Sequence, residues 1–272
     1  MFVSVVMITY NHSLYIKQAI ESILSQVTDF EFELIISNDK STDDTDLVIR
    51  ETLAQNPNAH KAKYINHETN LGMMPNFVSA LSNATGKYIA LCEGDDYWCD
   101  DNKLQIQADF LENNPDFSIC FSNVGLLTSS GMKEDNRKKK IPEVSTIKEL
   151  AQNNFIHTPS VLYRNHLIKE FPKYFTEAPI GDYFLHMLNA QHGKIKYIDK
   201  VLAVYRIHDA SYWSSKKDKE QRAIIINFLN TLKTFFDDDI QKIINRQIQK
   251  IQSKDMSFFE KKLFKLKSFF YR

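Results

Sequence analysis

The chain has 272 residues with 34 basic and 34 acidic side chains, giving a formal net charge of zero. That length holds one large domain or two small ones. The charge balance excludes a generic nucleic-acid binder, which is usually globally basic. Seven glycines leave neither a G-x-G-x-x-G loop nor a phosphate-cradling Walker loop. Cys92, Cys99 and Cys120 form no C-x-x-C pair. They are expected to be reduced cytosolic thiols, with Cys92 and Cys120 filling the core. The N-terminal MFVSVVMITYNHS lacks the basic region and the apolar length of a signal peptide. No window reaches the ~18–20 apolar residues of a membrane span.

Val3–Ile8 is a β-branched run and reads as a strand buried on both faces. Ser13 is placed to cap a helix whose apolar positions Ile16, Ile20, Ile23, Leu24 and Val27 share one face. Phe32–Ile36 is a second strand, and Asp43 or Asp44 caps the next helix, with Leu47, Val48 and Leu53 inward. Lys63–Asn66 is a third strand, and Met73–Ser82 a third helix stopped near Gly86. Lys87–Cys92 is a fourth strand. A helix over Lys103–Asn113 buries Leu104, Phe110 and Leu111 and ends at Asn113-Asn114-Pro115, before a strand at Ser118–Asn123. This alternation predicts an α/β fold, an open and mostly parallel Rossmann-like sheet flanked by helices.

Thr128–Ser145 is polar, carries the basic run Arg137–Lys140, and reads as a surface loop. A solvated run and contact with an anionic acceptor or lipid are the two readings of those charges. A helix near Ile147–Asn153, a strand at Ser160–Tyr163 and a helix at Asp182–Gln191 follow. Strands near Lys194–Ile198 and Val201–Tyr205 precede a helical remainder from Lys216.

Open α/β sheets bind ligands beyond the carboxyl ends of their strands. Ile8-Thr9-Tyr10-Asn11, Ser37-Asn38-Asp39 and Glu93-Gly94-Asp95-Asp96 all fall there. Crowded carboxylates repel, and a divalent cation with oxygen ligands is the common physical reason to gather them. The rival reading is a solvated acidic turn, which suits Asp100 and Asp101 ahead of the Lys103 helix.

Three stretches resemble the inverting family-2 glycosyltransferases of the GT-A fold. They are VSVVMITYNHSLYIKQAIESILSQ, FELIISNDKSTDDT, and GKYIALCEGDDYW with its following DNKLQ; YRIH at Tyr205–His208 also fits. The resemblance implies transfer of a sugar from a nucleotide donor, commonly UDP-linked, with Mn²⁺ or Mg²⁺ as cofactor. It places Thr9 and Tyr10 at the donor, Tyr10 against the base. Asp39 would accept from the uracil ring. Glu93-Gly94-Asp95 stands at the D-x-D position with Glu for the first Asp. Asp95, Asp96 and His208 would be near the metal. Asp182 in IGDYFL matches the general base, with Gly181 where Glu is usual; Gly181 is read as leaving space for an acceptor. His157 and Thr158 fall near the acceptor, and Trp98 is core or a wall of the donor sugar.

The implied organisation is a glycosyltransferase domain over 1–215, with a nucleotide-sugar half (1–125) and an acceptor half (126–215), then a helical extension over 216–272. The acceptor is a saccharide or lipid-linked saccharide, in surface polysaccharide synthesis. The rivals are a non-catalytic nucleotide-sugar binding module and a sugar nucleotidyltransferase. The latter would want a glycine-rich loop where TYNHSLYIK stands. In the tail, Phe259, Leu263, Leu266 and Phe270 share one helical face with lysines mostly off it. Contact of 256–272 with a membrane surface is one reading, and packing on the domain or on a second copy is the other. The expected location is cytoplasmic, peripheral at the inner face of the membrane.

Overall fold

The computed structural model describes residues 1–135, 141–209, 211, 213 and 216–253. The basic run Arg137–Lys140 and the tail 256–272 lie outside the described residues. The elements run β1 (Val3–Thr9), α1 (Ile16–Leu24), β2 (Phe32–Asn38), α2 (Thr45–Gln55), β3 (Ala62–Asn66), α3 (Met73–Ser82), β4 (Tyr88–Leu91), β5 (Tyr97–Trp98) and α4 (Lys103–Asn113). They continue as β6 (Phe117–Thr128), β7 (Gly131–Glu134), β8 (Val144–Ser145), α5 (Ile147–Leu150), β9 (Val161–Arg164), α6 (Gly181–Ala190), β10 (Lys194–Arg206), α7 (Asp218–Leu232) and α8 (Asp238–Gln252).

Among the described residues, ten strands join one sheet, with the path β3-β2-β1-β4-β9-β6-β10-β5. β1 pairs in parallel with β2 and β4, β2 with β3, and β6 with β10. β9 is antiparallel to both β4 and β6. That insertion points β6 and β10 the same way as β4. The carboxyl ends of β1, β2, β4, β6 and β10 therefore meet at one edge, together with the start of β9.

Alternate residues of β1 face opposite sides, as a strand requires. Val3, Val5 and Met7 join one buried cluster with Ile16, Ile49 and Leu104 of α1, α2 and α4. Val6 joins the other, with Met74 and Phe77 of α3 and Phe184 of α6. α7 and α8 add Phe228, Leu232, Ile240 and Ile244 to that second cluster.

Several expected details differ. α1 starts at Ile16 with Tyr15 at its N-cap and no side-chain cap. The Ser13 N–H instead donates to Asp43 Oδ2 at 3.1 Å, tying the first helix turn to the second. Val27 is 63% exposed because the helix has stopped at Leu24 and its period no longer applies. α2 buries Thr45, Ile49 and Thr52, one helical stripe, which turns Leu47 outward. Thr128–Ser145 is not all loop: β7 folds back antiparallel on β6, and β8 pairs with β10. The two strands expected at 194–205 are one, β10, with a register shift between Ile198 and Val201. Phe110 is only half-buried, packed at the edge of the first cluster.

Lys103 is fully buried. Its Nζ donates to Gln107 Oε1 at 2.7 Å and sits 4.2 Å from the Trp98 ring centroid. Burial pulls its pKa from 10.5 down to about 7. Between those values the folded chain holds Lys103 neutral while the unfolded chain binds a proton. Wild-type stability therefore gains from this group as pH rises, and the cost of burying it is fully present below pH 7. Lys103→Met removes the titration. Its stability relative to wild type is expected to fall by about 1.4 kcal/mol per pH unit between roughly pH 7 and 10. Losing the donor to Gln107 adds only a pH-independent offset. Denaturant unfolding across this range checks it, and a flat difference contradicts it.

Candidate active site

The turn after β4 is tight. Gly94 N–H donates to Ile8 O at 3.0 Å, and Asp96 N–H to Glu93 O at 3.1 Å. A Cβ at Gly94 would lie 2.6 Å from Thr9 Oγ1 and 2.8 Å from Ile16 Cδ1, so only glycine fits between the flanking acids. The turn gathers Glu93, Asp95 and Asp96 with one oxygen of each within 4.8 Å of the others.

Basic groups from distant elements converge on them. Asp95 Oδ2 is 3.1 Å from His208 Nε2 and 3.8 Å from His12 Nε2. Asp96 Oδ1 accepts the Arg206 backbone N–H at 2.7 Å. Arg206 Nε donates to Asp95 O at 2.7 Å, and its guanidinium lies 4.7 Å from the Tyr15 ring centroid and 5.4 Å from that of Tyr97. Burial, with Asp95 and Asp182 nearby, pushes Glu93 up to about 8. Burial and the charges of Asp95 and Glu93 also push Asp96 well up. Burial acts the same way on Asp95, but the His208 hydrogen bond and the nearby His12 outweigh it and hold Asp95 below its ordinary value. Burial and mutual repulsion thus make it costly for all three carboxyls to ionise together without a further cation.

Asp96 Oδ2 is buried and has no hydrogen-bond partner among the described residues. An orphaned carboxylate oxygen beside two further carboxylates suits Mg²⁺ or Mn²⁺, which prefer oxygen donors. Glu93, Asp95 and Asp96 fit such an ion, with His208 alongside Asp95.

The residues expected at the donor line the adjoining strand ends. Tyr10 is 44% exposed at the end of β1, while Thr9 is buried with its hydroxyl against Gly94. Asp39 is buried, and its two oxygens accept the backbone N–H groups of Leu71 (2.6 Å) and Gly72 (2.9 Å). Asn70 Nδ2 donates back to Asp39 O at 2.9 Å. The Asn70–Gly72 turn, with Gly72 at φ +90°, is thereby fastened to the residue expected at the base.

Asp182 faces the acids from α6. It lies in the first turn, one residue inside Gly181, and is not the cap, which is Ile180. Thr158 Oγ1 donates to its Oδ2 at 3.3 Å. Burial raises its pKa, against opposing hydrogen bonds from Tyr183 and Thr158. The space at Gly181 is not an acceptor passage: a Cβ there would lie 2.2 Å from Met74 Sδ, so α3 fills it. Trp98 is core, 3% exposed, with Nε1 donating to Pro159 O at 2.9 Å.

Sequence reasoning missed His12, Tyr15, Arg206 and Tyr205. Burial raises the Tyr205 pKa far above its ordinary value, and the charges of Asp96, Glu93, Asp95 and Asp182 all add to that. Its ring lies 5.0 Å from that of His157, and His157 Nε2 is 3.0 Å from Asp135 Oδ2. The available signals were the histidine two residues past Tyr10 and the first two letters of YRIH.

A cluster of acids beyond parallel strand ends, with a helix-borne carboxylate across from it, agrees with the GT-A fold that the resemblance implies. Residues 4–170 match the model of Glycosyl transferase family 2, and the chain belongs to that family. It is 37% identical over 221 residues to an uncharacterized Mycobacterium tuberculosis protein, covering 78% of this chain and 60% of that one. The chain thus spans about three fifths of the length of this relative. It is 27% identical over 220 residues to the Escherichia coli UDP-Glc:alpha-D-GlcNAc-diphosphoundecaprenol beta-1,3-glucosyltransferase WfgD, covering 80% of this chain and 81% of WfgD. Two solved structures share the fold. S. aureus TarS 1–349 in complex with UDP-GlcNAc has a TM-score of 0.69 at 21% identity, covering 95% of this chain and 73% of that one. The Pyrobaculum calidifontis mannosyltransferase PcManGT, with GDP-Man and Mn²⁺, has a TM-score of 0.70 at 16% identity, covering 90% and 68%. Among the described residues no helix is long and apolar enough to cross a membrane.

Proposed function

We propose that the protein moves a sugar from a UDP-linked donor to a saccharide or lipid-linked saccharide acceptor, with inversion and with help from Mn²⁺ or Mg²⁺. The observation that carries this is the gathering of Glu93, Asp95 and Asp96 about the orphaned, buried Asp96 Oδ2, with Asp182 near enough to act on Glu93. Residues 1–125 are the donor half and 126–215 the acceptor half, followed by the helical extension. The UDP-glucose specificity in WfgD's name and the UDP-GlcNAc bound by TarS support a UDP donor. The diphosphoundecaprenol in WfgD's name supports a lipid-linked acceptor; with such an acceptor the reaction would belong to surface polysaccharide synthesis at the inner membrane face.

In this reading Tyr10 lies against the base and Asp39 fixes the loop that borders it. Glu93, Asp95 and Asp96, with His208 beside Asp95, would hold the cation. When bound, that cation offsets the negative charge that develops on the leaving diphosphate. As the anomeric carbon takes on oxocarbenium character, Asp182 removes the acceptor hydroxyl proton from the opposite face. Thr158 steadies the carboxylate while it does so.

A competition assay with Mn²⁺ present tests the donor class. UDP is expected to displace a labelled UDP-sugar at lower concentration than GDP or ADP. Preference for GDP contradicts the uridine assignment.

A further inference from the structure

One helical turn beyond Asp182, on the same side of α6, lies His186. The ring is fully buried. Its Nδ1 is hydrogen-bonded to the hydroxyl of Tyr163 on β9. The other nitrogen, Nε2, is buried without a hydrogen-bond partner among the described residues and stands 3.9 Å from Asp182 Oδ2. Burial pulls the His186 pKa down to about 3, opposed only in part by the Ile156 carbonyl, so the ring carries one proton at neutral pH.

The tyrosine decides where that proton sits. Tyr163 is buried, and burial together with Asp182 pushes its pKa far up, so its hydroxyl keeps its hydrogen. That hydrogen has no acceptor other than His186 Nδ1 among the described residues. A buried O–H left without an acceptor is costly. Tyr163 therefore donates to Nδ1, and the imidazole proton falls on Nε2, the nitrogen nearer Asp182. The opposite tautomer would strand the phenol hydrogen and turn a bare lone pair toward a carboxylate.

We infer that Tyr163 and His186 are positioning residues for the base: Tyr163 fixes the Nε2–H tautomer of His186, whose N–H steadies Asp182 Oδ2 in its ionised form. The inference rests on Asp182 being the general base. His186 and Thr158 approach the same carboxylate oxygen, one from α6 and one from the turn before β9. A base oriented by a third group is a recurrent arrangement in enzymes. Asp182 is also faced by Glu93 from the β4 turn, Tyr163 from β9 and Tyr205 from β10, and His157 acts on His186 itself.

Two measurements on the full chain test this. In the first, ¹⁵N-histidine NMR reads the His186 tautomer, assigned by the signal lost in His186→Gln. A neutral Nε2–H ring from about pH 5 to 8 is expected, and an Nδ1–H ring overturns the inference. In the second, UDP release from UDP-GlcNAc or UDP-glucose with Mn²⁺ is followed against pH. His186→Leu is expected to lower kcat by ~10–10²-fold with KM unchanged, the scale of a misplaced catalytic group. Loss of the N–H disfavours the ionised carboxylate, so the acidic limb should move up by about one pH unit. His186→Gln, which keeps an N–H, should recover most of both. Wild-type kcat and an unmoved limb in His186→Leu overturn the inference. If His186→Leu fails to fold, Tyr163→Phe, lacking one oxygen, takes its place: an upward shift of the limb supports the inference and an unmoved limb overturns it. A silent Asp182→Asn would instead remove the base assignment; a slow Asp182→Asn beside a silent His186→Leu removes only this inference.

Discussion

Asp182→Asn is expected to bind UDP as tightly as the wild type while transferring sugar ~10²–10⁴-fold more slowly, the usual cost of losing a general base. The substitution is nearly isosteric. Asp182 lies in the first turn of α6 but is not its N-cap, so neutralising it costs the helix only about 0.3–1 kcal/mol. Thr158 can still donate to the amide oxygen, which preserves the local bond. What is lost is the ability to take a proton. The amide also removes one of the two neighbouring charges that raise Glu93, so the acid cluster should be no less stable in the variant. Steady-state transfer to a saccharide acceptor, with NMR of the product's anomeric configuration, checks both parts. Near-normal turnover by the variant removes Asp182 from the mechanism. Retained configuration contradicts a single displacement.

Asp95→Ala is expected to raise the Mn²⁺ concentration needed for half-maximal donor turnover by at least ~10–100-fold. That is the penalty for removing even an outer partner of a metal site, and Asp95 is placed closer than that. His208 and His12 both meet its Oδ2, and Arg206 Nε meets its backbone oxygen. Deleting the side chain leaves both histidines without their shared acid and the cation with fewer oxygen donors. It also removes the nearest charge that raises Glu93 and Asp96, so these two should ionise more readily without Asp95. Titrating Mn²⁺ into a UDP-release assay reads the effect, and an unchanged half-saturation point contradicts the role given to Asp95.

Much of residues 1–125 was legible because β1, β2 and β4 are buried on both faces. Continuous runs such as Val3–Ile8 have few other places to go, and their ends put Tyr10, Asp39 and Glu93–Asp96 on one edge. Residues 126–215 were harder. β7 is exposed throughout, so the apolar alternation that marks a half-buried strand is missing. β10 reads as two strands because its irregularity lies at exposed residues Asp199–Val201. His12 and Arg206 have no local pattern that announces a role. They acquire one because β9 inserts antiparallel and brings the end of β10 beside the ends of β1 and β4. Gly181 illustrates the opposite error: a small residue suggested room for a substrate, and the room belongs to Met74. Asp182 was placed by resemblance; nothing in its own neighbourhood of sequence separates a base from a residue in a helix's first turn.

Calorimetry of UDP binding to the wild-type chain, with Mn²⁺ and then with EDTA, tests most directly whether Glu93, Asp95 and Asp96 form a cation site shared with a nucleotide diphosphate. Tighter binding with Mn²⁺ is expected, with loss of most of that gain in Asp95→Ala. Equal UDP affinity with and without the metal in the wild type would contradict it.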